Sequence, residues 1–268
     1  MAEGNRFYKD GVVDPQMEML RLADTFPTQV TVSLVTGEMA KIGNKAPSLL
    51  DLGSGPNSTL GEVVQAVGGE YVALDLMFPY LKKQTGTGNT SVQADMEFLP
   101  FCESSFDMIH TRGVLAFLAP GKRELILSEI LAQTKQTAIF IEYNYENIRE
   151  WEGVADEFGR ALLTTLQKVG FDPYYGKRLD QDIRTNIEVS SKVAEVVVKE
   201  IQRPLGNHYQ EMLIRATELI NVARKFGDEE SAATFQNVIS QIDTDEKREN
   251  LSPFKTPDAK AVIVRFKN

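Results

Sequence analysis

The stretch LLDLGSGPNS, residues 49–58, limits what this chain can fold into more than any other. Two leucines run into Asp51, Gly53 and Gly55 stand two apart, and Pro56, Asn57 and the hydroxyls of Ser58 and Thr59 follow. Only glycine adopts positive φ without strain and lets a ligand approach the backbone with no Cβ in the way. The pattern is that of a buried strand, a tight turn and a helix in direct succession, so the question is what the turn holds.

The surrounding segments repeat the alternation. Ser48–Asp51 reads as a buried strand and Thr59–Val67 as a helix closed by Gly68-Gly69. Tyr71–Leu76 is a second strand, Phe78–Gln84 a short helix, Thr90–Gln93 a third strand and Phe106–His110 a fourth. A helix over Lys122–Gln133 and a strand over Thr137–Tyr143 complete the series. Strands and helices alternating at this spacing predict a parallel sheet covered on both faces. Arg149–Val169 reads as one further helix, Glu195–Ile201 as a valine-rich strand, and Ala261–Phe266 as a last strand of the kind that commonly runs antiparallel.

Two regions lie outside this pattern. Residues 1–45 hold an amphipathic helix around Pro15–Asp24, and residues 203–257 contain two helices with apolar stripes. The division expected is a helical segment at 1–45, a core formed by 46–202 with 258–268, and an inserted helical region at 203–257. That insertion suits either a lid over the carboxyl edge of the sheet or the interface of a homodimer.

Composition narrows the function. The formal net charge is −9, and the basic clusters are no larger than Lys82-Lys83 and Lys177-Arg178, which argues against a nucleic-acid partner. Cys102 is the single cysteine, so an intrachain disulfide is excluded and no metal is expected. Ala2–Asp14 lacks the apolar centre of a signal peptide, and no apolar run approaches the roughly 20 residues that span a bilayer. A cytoplasmic protein without a membrane partner is expected.

Three ligands compete for the glycine turn. A phosphate loop needs a lysine after its second glycine, and none is present. A dinucleotide fingerprint needs a third glycine where Ser58 stands, which leaves that reading weak but open. A nucleoside without phosphate agrees best with the carboxylates downstream. Asp75 ends the second strand, where it can accept from both ribose hydroxyls. Asp95 follows the third strand, where it can accept from an adenine amino group while the Met96 N–H reaches the ring.

Taken together these segments resemble the class I S-adenosylmethionine-dependent methyltransferases of small molecules. LLDLGSGPN matches the glycine motif, with Asn57 at the usual third glycine; ALDL supplies the acidic end of strand two; and QADMEFLPFCESSFDMIHTRGVLAFL matches the run from the adenine aspartate through strand four. MEMLRLA resembles the E-x-x-R-L helix that precedes the sheet in many members. The resemblance implies a doubly wound, mostly parallel, seven-stranded Rossmann-like sheet with an antiparallel last strand and added lid helices. It implies S-adenosylmethionine as cofactor and S-adenosylhomocysteine as product. Contacts to the cofactor are then expected from Arg21, which would meet the methionine carboxylate, and from Asp51, Gly53, Ser54, Gly55 and Asn57 in the turn. Asp75 and Leu76, Asp95 and Met96, and Thr111 and Arg112 would supply the remainder. Two features depart from the pattern: Ala116-Phe117 stand where many relatives carry a histidine, and Gln133–Gln136 replace a Pro-Gly-Gly turn.

Methyl transfer from a sulfonium is an in-line displacement that depends mainly on alignment and exclusion of water. The candidates for assisting it are His110, Glu142, Tyr143 and His208. Tyr8, Tyr145 and Trp151 are candidates for binding a small apolar or aromatic acceptor, with Phe7 and Phe158 nearby in the same reading. Two other activities fit the same fold: a cofactor-dependent step without transfer, such as cyclisation, and binding without catalysis.

Overall fold

The computed structural model describes residues 25–44, 46–56, 59–84, 88–187, 192–203 and 205–267. The helix expected around Pro15–Asp24 lies outside the described residues, as do Phe7, Tyr8, Arg21 and Asn57.

The chain opens with α1 (Thr25–Met39), β1 (Ser48–Leu52), α2 (Thr59–Ala66), β2 (Glu70–Asp75), α3 (Phe78–Gln84), β3 (Thr90–Gln93) and β4 (Phe106–Arg112). A 3-10 turn at Leu115–Phe117 leads to α4 (Pro120–Gln133) and β5 (Thr134–Asn144). A second, at Glu146–Glu150, leads to α5 (Gly153–Lys168), α6 (Tyr175–Ile187) and β6 (Val193–Ile201). The remainder is β7 (Leu205–Gly206), α7 (Tyr209–Lys225), α8 (Glu229–Ile242), α9 (Asp245–Glu249), β8 (Phe254–Lys255) and β9 (Asp258–Phe266).

Seven strands form one sheet in the order β3-β2-β1-β4-β5-β9-β6. The pairs from β3 to β5 are parallel, and β9 runs antiparallel between β5 and β6. Leu49, Leu50 and Leu52 of β1 are all fully buried, as a strand must be when helices cover both faces. Leu50 and Leu52 pack with Leu127 and Ile130 of α4 and Leu179 and Ile183 of α6 on one face. Leu49 packs with Val35 of α1 and Val64 of α2 on the other. Strand order reverses between β1 and β4, and in such sheets the crevice for a ligand opens at that reversal, beyond the carboxyl ends.

Two expectations are corrected. The single helix expected over Arg149–Val169 is broken: Trp151 and Glu152 take extended backbone, and Gly153 restarts the helix from positive φ. The break lets the Trp151 ring leave the helix and donate its Nε1–H to the Lys255 carbonyl at 2.6 Å. α6 was not expected at all. Its buried stripe is Tyr175, Leu179 and Ile183, one side chain per turn in a polar background, a four-residue spacing that the sequence does carry.

The helices of 203–257 rest on α5. Phe158 and Phe235 meet at 5.7 Å, Asn237 and Gln241 donate to Glu157, and Lys168 pairs with Asp228 at 2.9 Å. At the opposite edge Arg265 of β9 grips Glu38 of α1 through Nε and Nη2, each at 2.8 Å. Those hydrogen bonds hold the Glu38 carboxyl below its ordinary value.

Candidate active site

The glycine turn is built by the backbone of its neighbours. Gly53 and Ser54 both donate their N–H to the Leu74 carbonyl, at 2.8 and 3.1 Å, folding the turn back over β2. Gly53 and Gly55 have φ of 64° and 61°, and a Cβ on Gly53 would lie 2.5 Å from Cγ2 of Val114. Only glycine meets both conditions. Asp75 locks the arrangement from the end of β2: its Oδ2 accepts from Gly55 N–H at 2.8 Å and its Oδ1 from Met77 N–H at 2.9 Å. A carboxylate fixed in this way has one orientation at the end of β2.

Asp51 lies directly opposite His110 in the parallel pairing of β1 with β4, so the two side chains share one face of the sheet. It accepts from the Tyr71 hydroxyl at 2.8 Å and faces His110 Nδ1 at 2.8 Å. Burial, reinforced by the Asp51 charge, pushes the Tyr71 phenol well above its ordinary value, so it acts as a neutral donor. With Nδ1 given to Asp51, the other nitrogen of His110, Nε2, is buried and has no hydrogen-bond partner among the described residues. Two residues on, Arg112 donates to the hydroxyls of Thr28 and Thr31 at 3.3 and 3.2 Å, tying β4 to α1. Thr111 between them is fully buried, with its hydroxyl likewise lacking a partner among the described groups.

A cleft of about 1040 Å³, counting its open mouth, runs from this turn across the sheet edge. Asp51, Gly53, Ser54, His110, Arg112, Gly113 and Tyr143 line the end nearest the turn. The far end is a chamber walled by Tyr145, Trp151, Phe158, Leu162, Met212 and Phe254, with Arg203, His208, Glu211, Arg215, Thr256 and Pro257 among them. Phe254 is its hub: the rings of Trp151, Tyr209 and His208 meet it edge-on at 4.8, 5.0 and 5.6 Å. The two-residue pairing of β7 with β8 sets Gly206 opposite Phe254 and so carries that ring inward.

The structure thus brings Asp51, Gly53, Ser54, His110, Arg112, Tyr143, Tyr145, Trp151 and His208 into one cleft. Asp75, Asp95 and Met96 stand at the ends of the neighbouring strands, outside this lining. Asp95 Oδ1 also accepts from Glu97 N–H at 3.0 Å, so it closes its own turn.

Glu142 is not in the cleft, which corrects its expected place among catalytic groups. It is fully buried behind the wall, where one oxygen accepts from the N–H groups of Val114 and Leu115 at 3.0 and 2.8 Å. Burial raises its carboxyl to about 7 even against those bonds. Its place is beneath the loop after β4, the same loop whose Val114 packs on Gly53.

Arg203, Glu211, Met212, Arg215, Phe254, Thr256 and Pro257 were not singled out by sequence reasoning as site residues. Glu211 and Arg215, four apart on α7, have the spacing of an ordinary surface pair. Phe254 has no periodic context at all.

Comparison with known proteins agrees with the geometry. Residues 50–141 match the model of the family described as the methyltransferase domain. That matched segment, about a third of the chain, is similar to a methyltransferase domain. Its range covers β1 to β5, the strands that form the glycine turn and the loop after β4. A curated relative, methyltransferase str2 of Strobilurus tenacellus, is 28% identical over 116 residues, which is 41% of this chain and 40% of the relative. The match therefore spans about two fifths of that protein. Among solved structures, a SAM-dependent methyltransferase of Archaeoglobus fulgidus superposes with a TM-score of 0.51 at 15% identity, covering 88% of this chain and 93% of that one. The plantazolicin methyltransferase BpumL, solved with a desmethyl plantazolicin analogue and S-adenosylhomocysteine, gives 0.57 at 9% identity over 98% and 94%. These likenesses concern the fold alone: the seven-stranded sheet and its covering helices are shared with both structures. No described helix is long and apolar enough to cross a membrane.

Proposed function

We propose that this chain transfers a methyl group from S-adenosylmethionine to a small aromatic acceptor held in the chamber. One observation carries the reading: the glycine turn locked by Asp75 opens into the same cleft as the aromatic walls. The residues suit the cofactor on their own chemistry. The positive-φ turn leaves backbone exposed where a ligand would lie, Asp75 can accept from ribose hydroxyls, and Arg112 can meet a carboxylate. Bound there, S-adenosylmethionine would supply an electrophilic methyl group.

The chain's own task is then to align and to shield. The 203–257 region forms the far wall, and we assign it the role of a cover over the acceptor. Aromatic walls exclude water and hold a flat acceptor in one plane, which lowers the entropic part of the barrier. His208 reaches the chamber with 20% of its side chain exposed and is the group we assign to take a proton from a hydroxyl or amine acceptor. His110, whose Nε2 is enclosed, fits better as a support for the turn through Asp51.

Calorimetric titration with S-adenosylmethionine, S-adenosylhomocysteine, NAD and NADP tests the reading. Saturable binding of the two adenosyl compounds alone is expected. Binding of a nicotinamide nucleotide, or of nothing by folded ligand-free protein, would overturn it. With an acceptor in hand, product mass separates transfer from cyclisation, because transfer adds one methyl group.

A further inference from the structure

We propose that the outer edge of β6 is the interface of a two-fold dimer of this chain, in which two copies join antiparallel along Glu195–Lys199 into one continuous sheet. The two edges of the seven-stranded sheet are unequal: β3 has four residues and β6 has nine. Among the described residues β6 pairs with β9 alone. On its other side, alternate N–H and C=O groups therefore point outward, as a template for a further strand. The side chains are open as well: Glu195 and Lys199 are exposed, and Val196, Val197 and Val198 are half-buried. Three consecutive valines on a long edge strand are what a monomer ordinarily avoids.

The charges along this edge select a second copy as the partner. Past the irregularity between Val193 and Glu195, Val197 and Ile201 pack on the α1 side of the sheet and Val196 and Val198 on the other. By the same alternation Glu195 and Lys199 stand on the α1 side. When two copies meet antiparallel about an axis perpendicular to the sheet, residues directly opposite share a face. Centred on Val197, that pairing sets Glu195 of each copy opposite Lys199 of the other, Val197 opposite its twin and Val196 opposite Val198. Sliding the pairing by two residues either way loses both charge pairs. A parallel meeting in the same register would set Glu195 on Glu195 and Lys199 on Lys199. Opposite charges across a ladder stabilise it and like charges destabilise it, so the antiparallel register centred on Val197 is favoured. Glu195 also meets Arg265 of β9, which holds the carboxylate at the edge while 55% of the side chain stays exposed. A two-fold pairing consumes the β6 edge of both copies, so assembly stops at two.

The test is sedimentation velocity of the full chain, and it does not depend on what the cleft holds. A dimer is expected at micromolar concentrations. Lys199→Glu sets two carboxylates face to face at both charge pairs, and Glu195→Lys sets two ammonium groups there. Each variant should dissociate at least about tenfold more readily than the parent, with circular dichroism reporting that it is folded. Mixed one to one, the two variants regain both opposite-charge pairs, so a heterodimer should form where neither variant dimerises alone. A second measurement reads the register in a Cys102→Ser background, which removes the exposed native thiol. Mild oxidation should link two copies of Val197→Cys through a disulfide, whereas Lys199→Cys, four positions out of step with its twin, should stay unlinked. A parent that remains monomeric, a mixture that fails to recover the dimer, or equal cross-linking at both positions would overturn the inference. So would a dimer indifferent to both charge reversals, which would place the contact elsewhere, for example on 203–257.

Discussion

The two ends of the cleft are made in different ways. The turn end is backbone: carbonyl and amide groups of consecutive strands, two glycines at positive φ and one carboxylate that accepts two N–H bonds. All of it comes from residues 51–77 and the start of the loop after β4. The chamber end is side chain, drawn from three separate stretches of the chain, 145–162, 203–215 and 254–257. A site made of backbone depends on conformation, and few sequences satisfy it. A site made of side chains can change its ligand by substitution without disturbing the sheet. The first end is thereby suited to a fixed cofactor and the second to a variable acceptor.

That division can be broken by experiment, starting where the effect is largest. Gly53→Val forces a β-branched residue into positive φ and against Val114. Adenosyl ligand affinity should fall by a hundredfold or more, about 3 kcal/mol by the usual conversion. An unchanged affinity by calorimetry would mean that the turn does not hold the cofactor. Trp151→Ala removes the hub contact and the bond to Lys255, and should cost about 3 kcal/mol of stability in chemical denaturation. Its adenosyl affinity should nevertheless stay within about twofold of the parent. A large loss there would mean that the two ends are coupled, and the comparison would fail.

Glu142 tests the wall between them. Its carboxyl titrates near 7 in the folded chain, above the ordinary 4.5, so the folded state binds the proton more tightly than the unfolded state. The stability this contributes is complete below about pH 4.5 and is lost as pH rises through 7. The melting temperature should therefore decline between about pH 5 and 8, and Glu142→Gln, which can still accept from Val114 and Leu115, should flatten that decline. Parallel curves for the two proteins would remove Glu142 as the cause. The smallest effect belongs to Arg160→Gln, an exposed partner of Asp156 on α5, outside both ends. It should change stability by less than about 1 kcal/mol and leave both ligands bound as before; a clear loss of either ligand would extend the site onto the outer face of α5.

How much was legible follows from the same division. Strands β1 to β5 were readable because buried strands are short apolar runs punctuated by turn residues, and the glycine turn because backbone conformation restricts residue type. Asp75 was readable because a carboxylate ending a buried strand needs a reason to be there. The chamber was not. Phe254 and Arg203 enter the cleft through long-range contacts that leave no local period, and Glu211 with Arg215 looks like any helical ion pair. Trp151 reads as a candidate binder, but no continuous helix over Arg149–Val169 forms through it, since its tertiary bond to Lys255 overrides helical continuity. Glu142 misled for the opposite reason: an acid at a strand end suggests chemistry, while here its partners are backbone amides.

The place of β9 has one more consequence. β6 pairs with no described strand except β9, and β9 is the last of the sheet to be made. As the ribosome emits the chain from its amino end, β1 to β5 can assemble into a sheet early, whereas Val193–Ile201 must wait some sixty residues for its neighbour. The whole of 203–257 is spun out in that interval and is fastened at both ends only when β9 slots between β5 and β6. The cofactor end can thus exist on a nascent chain, and the acceptor chamber is born last, closed by the same strand that completes the sheet.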